Sequence, residues 1–223
     1  MKVGLIYTST TPELEELVEK EVKANLGDDV EMLSLHDATI LADVREAGYV
    51  TTAPAARLIG MYMKAAEEGC DAMLNLCSSV GEVADCAQSV AKYIGVPIVR
   101  VDEEMCREAV RTGHRVGVMA TLPTTLEPTK STVKRVAREM GKSVELVDCL
   151  VDGAFGLDQD QFKARLTEAA KTIADKVDVV VLAQGSMAYA EPHLETTFKK
   201  PFLGSPRFGA VELKKALIAK GAM

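Results

Sequence analysis

Cys77 is the residue in this chain best placed for proton transfer or covalent chemistry. It follows the run Asp71-Ala72-Met73-Leu74-Asn75-Leu76 and precedes Ser78-Ser79-Val80-Gly81. That pattern predicts a strand delivering a thiol to the N-terminus of the next helix. Bare backbone N–H groups and the positive end of a helix dipole favour thiolate there, below the ordinary cysteine pKa of about 8.5. Such a thiol can act as a nucleophile or as an acid and base at carbon. Other predicted strand ends bring hydroxyls. Thr8 ends one run, Thr121 ends another, and Gln184-Gly185-Ser186 follows a third. Together with Ser78 and Ser79, they suit a carboxylate or enolate oxygen held without a metal. Cys70, Cys86, Cys106 and Cys149 fall within helix patterns or at strand edges and read as structural. Thr10 and Thr125 read as helix caps. Arg207 reads as a surface residue, and Glu191 and His193 as members of a solvated loop.

These positions belong to an internal repeat. Val3-Gly4-Leu5-Ile6-Tyr7-Thr8 is echoed by Val116-Gly117-Val118-Met119-Ala120-Thr121, and Val30-Glu31-Met32-Leu33 by Val144-Glu145-Leu146-Val147. The run from Asp71 to Cys77 is echoed by Asp178-Val179-Val180-Val181-Leu182-Ala183-Gln184, and Pro97-Ile98-Val99 by Pro201-Phe202-Leu203. Four echoes in one order are the trace of a duplicated half. A cleft between related halves can present matched groups to one ligand. Here the matched pair is Cys77 and Gln184, and only the first is reactive.

Short aliphatic runs alternate with amphipathic helical patterns, the signature of βαβ units and parallel sheets. Strands are predicted near 2–7, 30–34, 71–76 and 97–101, then near 115–120, 144–148, 178–183 and 201–203. Helices are predicted from Thr11-Pro12 to Leu26, over 52–68, 79–94, 103–112, 125–140 and 160–176, and from Ala210 to Lys220. The segment 37–52, with Gly48 and Tyr49, reads as a mobile loop. The expected fold is α/β, with two pseudo-symmetric Rossmann-like or flavodoxin-like halves, parallel sheets and an interdomain cleft. Residues 1–102 plus 206–223 form the first half, and 103–205 the second.

Composition limits the partners. The chain has 223 residues, 48% of them hydrophobic and 26% charged, so it can bury a substantial core. A net charge of −7 argues against nucleic acid, which needs a basic stripe. No run reaches the roughly 20 apolar residues of a membrane span. The five cysteines include no CxxC pair, and the three histidines are scattered, so neither a structural zinc site nor any other metal site is expected. The odd cysteine count and the lack of a secretion signal suggest a cytoplasmic protein. No GxGxxG follows the first strand, which argues against a dinucleotide enzyme.

Four stretches resemble the aspartate/glutamate racemase superfamily: Asn75-Leu76-Cys77-Ser78-Ser79, Val116 to Thr121, Val180-Val181-Leu182-Ala183-Gln184-Gly185-Ser186-Met187, and Pro201-Phe202-Leu203-Gly204-Ser205-Pro206. The superfamily includes cofactor-independent amino-acid racemases, hydantoin racemase, maleate isomerase and arylmalonate decarboxylase. The resemblance implies a homodimer of two α/β halves that works without PLP, metal or other cofactor. It also implies two cysteines that remove and return the α-proton of a small carboxylate or amino acid. The first role falls on Cys77. The second falls on Gln184, which cannot carry a proton in this way. By the same resemblance Thr8, Ser78, Ser79, Thr121, Gln184 and Gly185 bind substrate. Three outcomes stay open: a racemase or epimerase in which Ser186 or another group replaces the missing base, a one-cysteine decarboxylase or maleate-isomerase-like enzyme, and a non-catalytic carboxylate binder.

Overall fold

A computed structural model describes residues 1–223. In chain order the first elements are β1 (Lys2–Tyr7), α1 (Pro12–Leu26), β2 (Glu31–His36), α2 (Ala38–Ala47), α3 (Thr52–Glu67), β3 (Ala72–Asn75), α4 (Gly81–Cys86), α5 (Gln88–Ile94) and β4 (Ile98–Arg100). There follow α6 (Glu103–Thr112), β5 (Arg115–Ala120), α7 (Pro123–Glu139), β6 (Glu145–Leu150), α8 (Gln159–Lys171), β7 (Val179–Leu182), α9 (Glu191–Phe198), β8 (Phe202–Gly204) and α10 (Ser205–Lys220). The chain divides into two compact units: Met1–Val101 with Pro206–Met223, and Asp102–Ser205. Each unit holds one four-stranded sheet, ordered β2-β1-β3-β4 in the first and β6-β5-β7-β8 in the second. Every strand pair is parallel. The two orders are the same topology shifted by four strands, the structural form of the sequence repeat.

Strand alternation builds the first unit's core on both sheet faces. Val3, Leu5 and Tyr7 of β1 pack with Leu14, Val18 and Val22 of α1 and with Leu213 and Leu217 of α10. Ile6 packs on the other side with Leu58, Tyr62 and Ala65 of α3 and Val83 and Ala84 of α4. Gly4 and Gly117, equivalent in the repeat, lie where a helical layer comes close. A Cβ at Gly4 would stand 3.2 Å from Ala65 Cβ, and one at Gly117 would stand 3.0 Å from Ile173 Cδ1. α1 starts as its residues dictate: Thr11 accepts a hydrogen bond from the Leu14 N–H, and Pro12 opens the first turn. Gly27, at φ 95°, stops it.

Several expectations need correction. The segment 37–52 is mostly α2, capped by Asp37 on the Thr39 N–H and closed by left-handed Gly48, with Ile40, Leu41 and Val44 buried. Those three apolar residues supply a helical face that the surrounding polar residues masked in the sequence. The single helix expected over 79–94 is a 3-10 turn, Ser78–Val80, followed by α4 and α5. The loop expected around Glu191 and His193 is α9. Thr10 and Thr125 are not N-caps; those positions belong to Thr11 and Leu122. No helix is long and apolar enough to cross a membrane.

Candidate active site

In the first unit, Thr8 follows β1 and Cys77 lies two residues beyond β3, at the carboxyl ends of adjacent strands. Parallel α/β sheets gather ligands at this edge, because the chain turns there and leaves backbone groups free of the ladder. Cys77 is extended (φ −139°, ψ 113°) and caps the 3-10 turn Ser78–Val80. Its carbonyl accepts a hydrogen bond from Asn75 Nδ2 at 3.0 Å. The Thr8 and Ser78 hydroxyl oxygens are buried without a hydrogen-bond partner in the fold. A buried hydroxyl left unbonded is costly, and a ligand oxygen would relieve that cost.

The Cys77 thiol departs from the sequence expectation. Its pKa is raised, not lowered, because burial of the sulfur outweighs the bonds that favour thiolate. Those bonds come from the Thr8 hydroxyl, the Ser79 and Val80 N–H groups and the Ser79 hydroxyl. The Thr8 hydroxyl, which has no other partner in the fold, is thus placed to donate to the ionised sulfur. The helix dipole contributes little, since α4 begins only at Gly81 and spans six residues. The residue as a whole is only partly buried, while its side chain packs against the first unit's core.

The second unit repeats this edge with different chemistry. Gln184 is also extended (φ −116°, ψ 138°) and also caps a 3-10 turn, Gly185–Ala190, after the third strand of its unit. Thr121 follows β5 as Thr8 follows β1. Gln184 Oε1 accepts from the Thr121 N–H at 2.7 Å and from its hydroxyl at 3.1 Å, while Gln184 Nε2 donates to the Thr121 hydroxyl at 2.8 Å. Thr121 is thus bonded to its neighbour, whereas Thr8 is left open. Gly185 and Ser186 begin the turn and are both partly exposed.

The structure brings Thr8, Cys77, Ser78 and Ser79 together in the first unit, and Thr121, Gln184, Gly185 and Ser186 together in the second. Glu191 serves as a brace rather than a loop acid: its Oε2 accepts the Gly204 N–H at 2.8 Å. Arg207 is exposed and lies 4.1 Å over the Phe208 ring. Among the other thiols, Cys86 is exposed and Cys70, Cys106 and Cys149 are buried. Burial pushes the Cys149 thiol up to about 11. Sequence reasoning missed Asn75 and Tyr62, whose hydroxyl donates to Asn75 Oδ1 at 3.0 Å. The available signal was an amide ending an apolar strand two residues before the thiol.

A family model described as Asp/Glu/Hydantoin racemase matches residues 3–213. Among solved structures, the chain is similar to glutamate racemase from Bacillus anthracis, at 14% identity and TM-score 0.70, covering 98% of this chain and 82% of that one. It is similar to allantoin racemase from Klebsiella pneumoniae, at 18% identity and TM-score 0.65, covering 99% and 89%. It is also similar to arylmalonate decarboxylase, at 13% identity and TM-score 0.58, covering 96% and 92%. No curated protein matches it in sequence.

Proposed function

We propose, from the premise that this chain belongs to the Asp/Glu/Hydantoin racemase family, that it is a cofactor-independent isomerase working at the α-carbon of a small carboxylate or amino acid through Cys77. The observation that carries this reading is the pair of buried, unpartnered hydroxyls, Thr8 and Ser78, at the strand edge that holds the thiol. In the step, the Cys77 thiolate takes the α-proton. The C–H bond breaks, an S–H bond forms, and the electron pair moves into the carboxylate as an enolate. Thr8, Ser78 and Ser79 donate hydrogen bonds to the developing oxyanion, and single donors of this kind are worth about 3–4 kcal/mol in comparable sites. Return of that proton from sulfur on the same face gives back the starting isomer, so isomerisation requires the enolate carbon to take its proton on the opposite face from a second group. The raised thiol pKa makes thiolate scarce at neutral pH, so the rate climbs as pH rises toward that pKa.

Thr121, Gln184 and Gly185 are proposed as substrate contacts of the second unit, and Ser186 as the group that replaces the missing base. A serine hydroxyl takes a proton only with a basic group beside it, so true racemisation is the most demanding form of this reading. A second reading, one-cysteine decarboxylation or maleate-isomerase-like chemistry, is favoured by the Gln184 amide being committed to Thr121. A cytoplasmic homodimer is the proposed state, to be checked by light scattering on the purified protein.

The test is proton NMR in D2O with amino acids, hydroxy acids, hydantoins, maleate and substituted malonates. The leading reading expects α-proton exchange with inversion, which assigns a racemase. Exchange without inversion, loss of carbon dioxide or double-bond isomerisation assigns the second reading. Cys77→Ala is expected to lose activity with its circular dichroism unchanged. Full activity in that variant would remove both readings.

A further inference from the structure

We propose that Asn75 and Tyr62 are positioning residues for Cys77: their buried hydrogen-bond pair fixes the Cys77 peptide so that the turn after it aims its N–H groups at the sulfur. The inference deepens the proposed role of Cys77 and takes its catalytic meaning from that reading. It starts from an amide in an apolar strand. All four residues of β3 are buried, and Asn75 is its only polar member. A buried amide is tolerated only when its polar atoms are bonded. Asn75 uses both ends: Oδ1 accepts from the Tyr62 hydroxyl, and Nδ2 donates to the Cys77 carbonyl, each at 3.0 Å. With a donor on one side and an acceptor on the other, the amide has one orientation.

The anchor beneath it is rigid. Asn75 is in register with Ile6 on one side and Arg100 on the other. Its carbonyl accepts the Val101 N–H, and the next residue's N–H goes to the Ile6 carbonyl, both at 3.0 Å. Tyr62 is fully buried on α3. Its hydroxyl is held far above the ordinary tyrosine range, first by burial and then by the negative charge that Cys77 carries when ionised. It therefore stays a donor whenever the thiol ionises.

The second unit provides the internal control. The repeat aligns Asn75 with Leu182, two residues before Gln184 in the fully buried strand β7. The same strand position accepts Leu where no thiol follows, so packing alone does not call for an amide. The amide occurs in the half that carries Cys77, and it bonds to the carbonyl of that cysteine. Fixing that carbonyl fixes the plane of the 77–78 peptide, and with it the approach of the Ser79 and Val80 N–H groups that favour the thiolate.

The experiment is peptide-resolved alkylation of the whole protein with iodoacetamide across neutral to alkaline pH. Exposed Cys86 is the internal reference. Asn75→Leu alone strands the Tyr62 hydroxyl, so the main variant is the double Tyr62→Phe/Asn75→Leu, which removes both partners together. The midpoint of the Cys77 profile is expected to rise by about one pH unit, equal to about a tenfold slower reaction below it, with Cys86 unmoved. Tyr62→Phe alone is expected to move it less, in the same direction. With an active substrate, kcat falls while KM changes little. A Cys77 profile superimposable on wild type in both variants overturns the inference, as does an equal shift at Cys86, which would mark general loosening. If Cys77→Ala proves fully active, the functional reading fails on its own, while the alkylation profile still decides whether Asn75 and Tyr62 position the sulfur.

Discussion

At the scale of single residues, two similar turns lead to opposite outcomes. The Cys77 sulfur lies among donors that stabilise its charge only once it ionises, and burial keeps it mostly protonated until then. The Gln184 amide is neither an acid nor a base near neutral pH and is bonded to the Thr121 N–H and hydroxyl. Gln184 therefore stabilises the second unit's edge where a thiol would make it reactive. Removing it should be costly, because the Thr121 N–H then loses its partner in a place with little water. Gln184→Ala is expected to lower stability by about 1–3 kcal/mol. A melting temperature equal to wild type would show that water replaces the amide without loss.

At the scale of elements, the turn after β3 depends on a side chain that is absent. Gly81 opens α4, and a Cβ there would stand 2.3 Å from Arg100 Nη2. The Arg100 side chain is 4% exposed and is bound to Asp85 at 2.6 Å, so it cannot swing aside without breaking an ion pair. Gly81→Ala should behave as overpacking, costing about 1–3 kcal/mol, and should also slow Cys77 alkylation, because the displaced turn carries the Val80 N–H. Unchanged stability and thiol reactivity would mean that the guanidinium moves freely. None of this was legible in the sequence, where Gly81 falls inside the helix predicted over 79–94, because the constraint comes from a strand nineteen positions later. The strands themselves were legible: β1 and β5 fall where aliphatic runs place them, and the other strand assignments shift by only a residue or two. The candidate residues were legible as strand ends. Their electrostatics were not, since desolvation of the Cys77 sulfur depends on what packs around it. α2 and α9 were missed for a related reason: each buries only a few side chains, too few for periodicity to stand out from polar neighbours.

At the scale of the whole molecule, the order of the chain couples the units through covalent continuity. The chain builds most of the first unit, leaves at Asp102 to make the second, and returns at Pro206 to finish the first with α10. That return is substantial, because Leu213 and Leu217 are completely buried against Val3, Leu5 and Leu74. The second unit draws on its own core, in which Met119, Leu166, Val180, Leu182 and Phe202 are fully buried. Damage to α10 should therefore be felt at the far end of the sequence rather than in the unit just before it. Leu213→Ala, at a site with no exposure, is expected to cost about 2–5 kcal/mol. Amide hydrogen exchange should quicken in β1 and β3, whose side chains meet α10, while β5 and β7 keep their protection. Equal acceleration in all four strands would mean that the two units unfold as one.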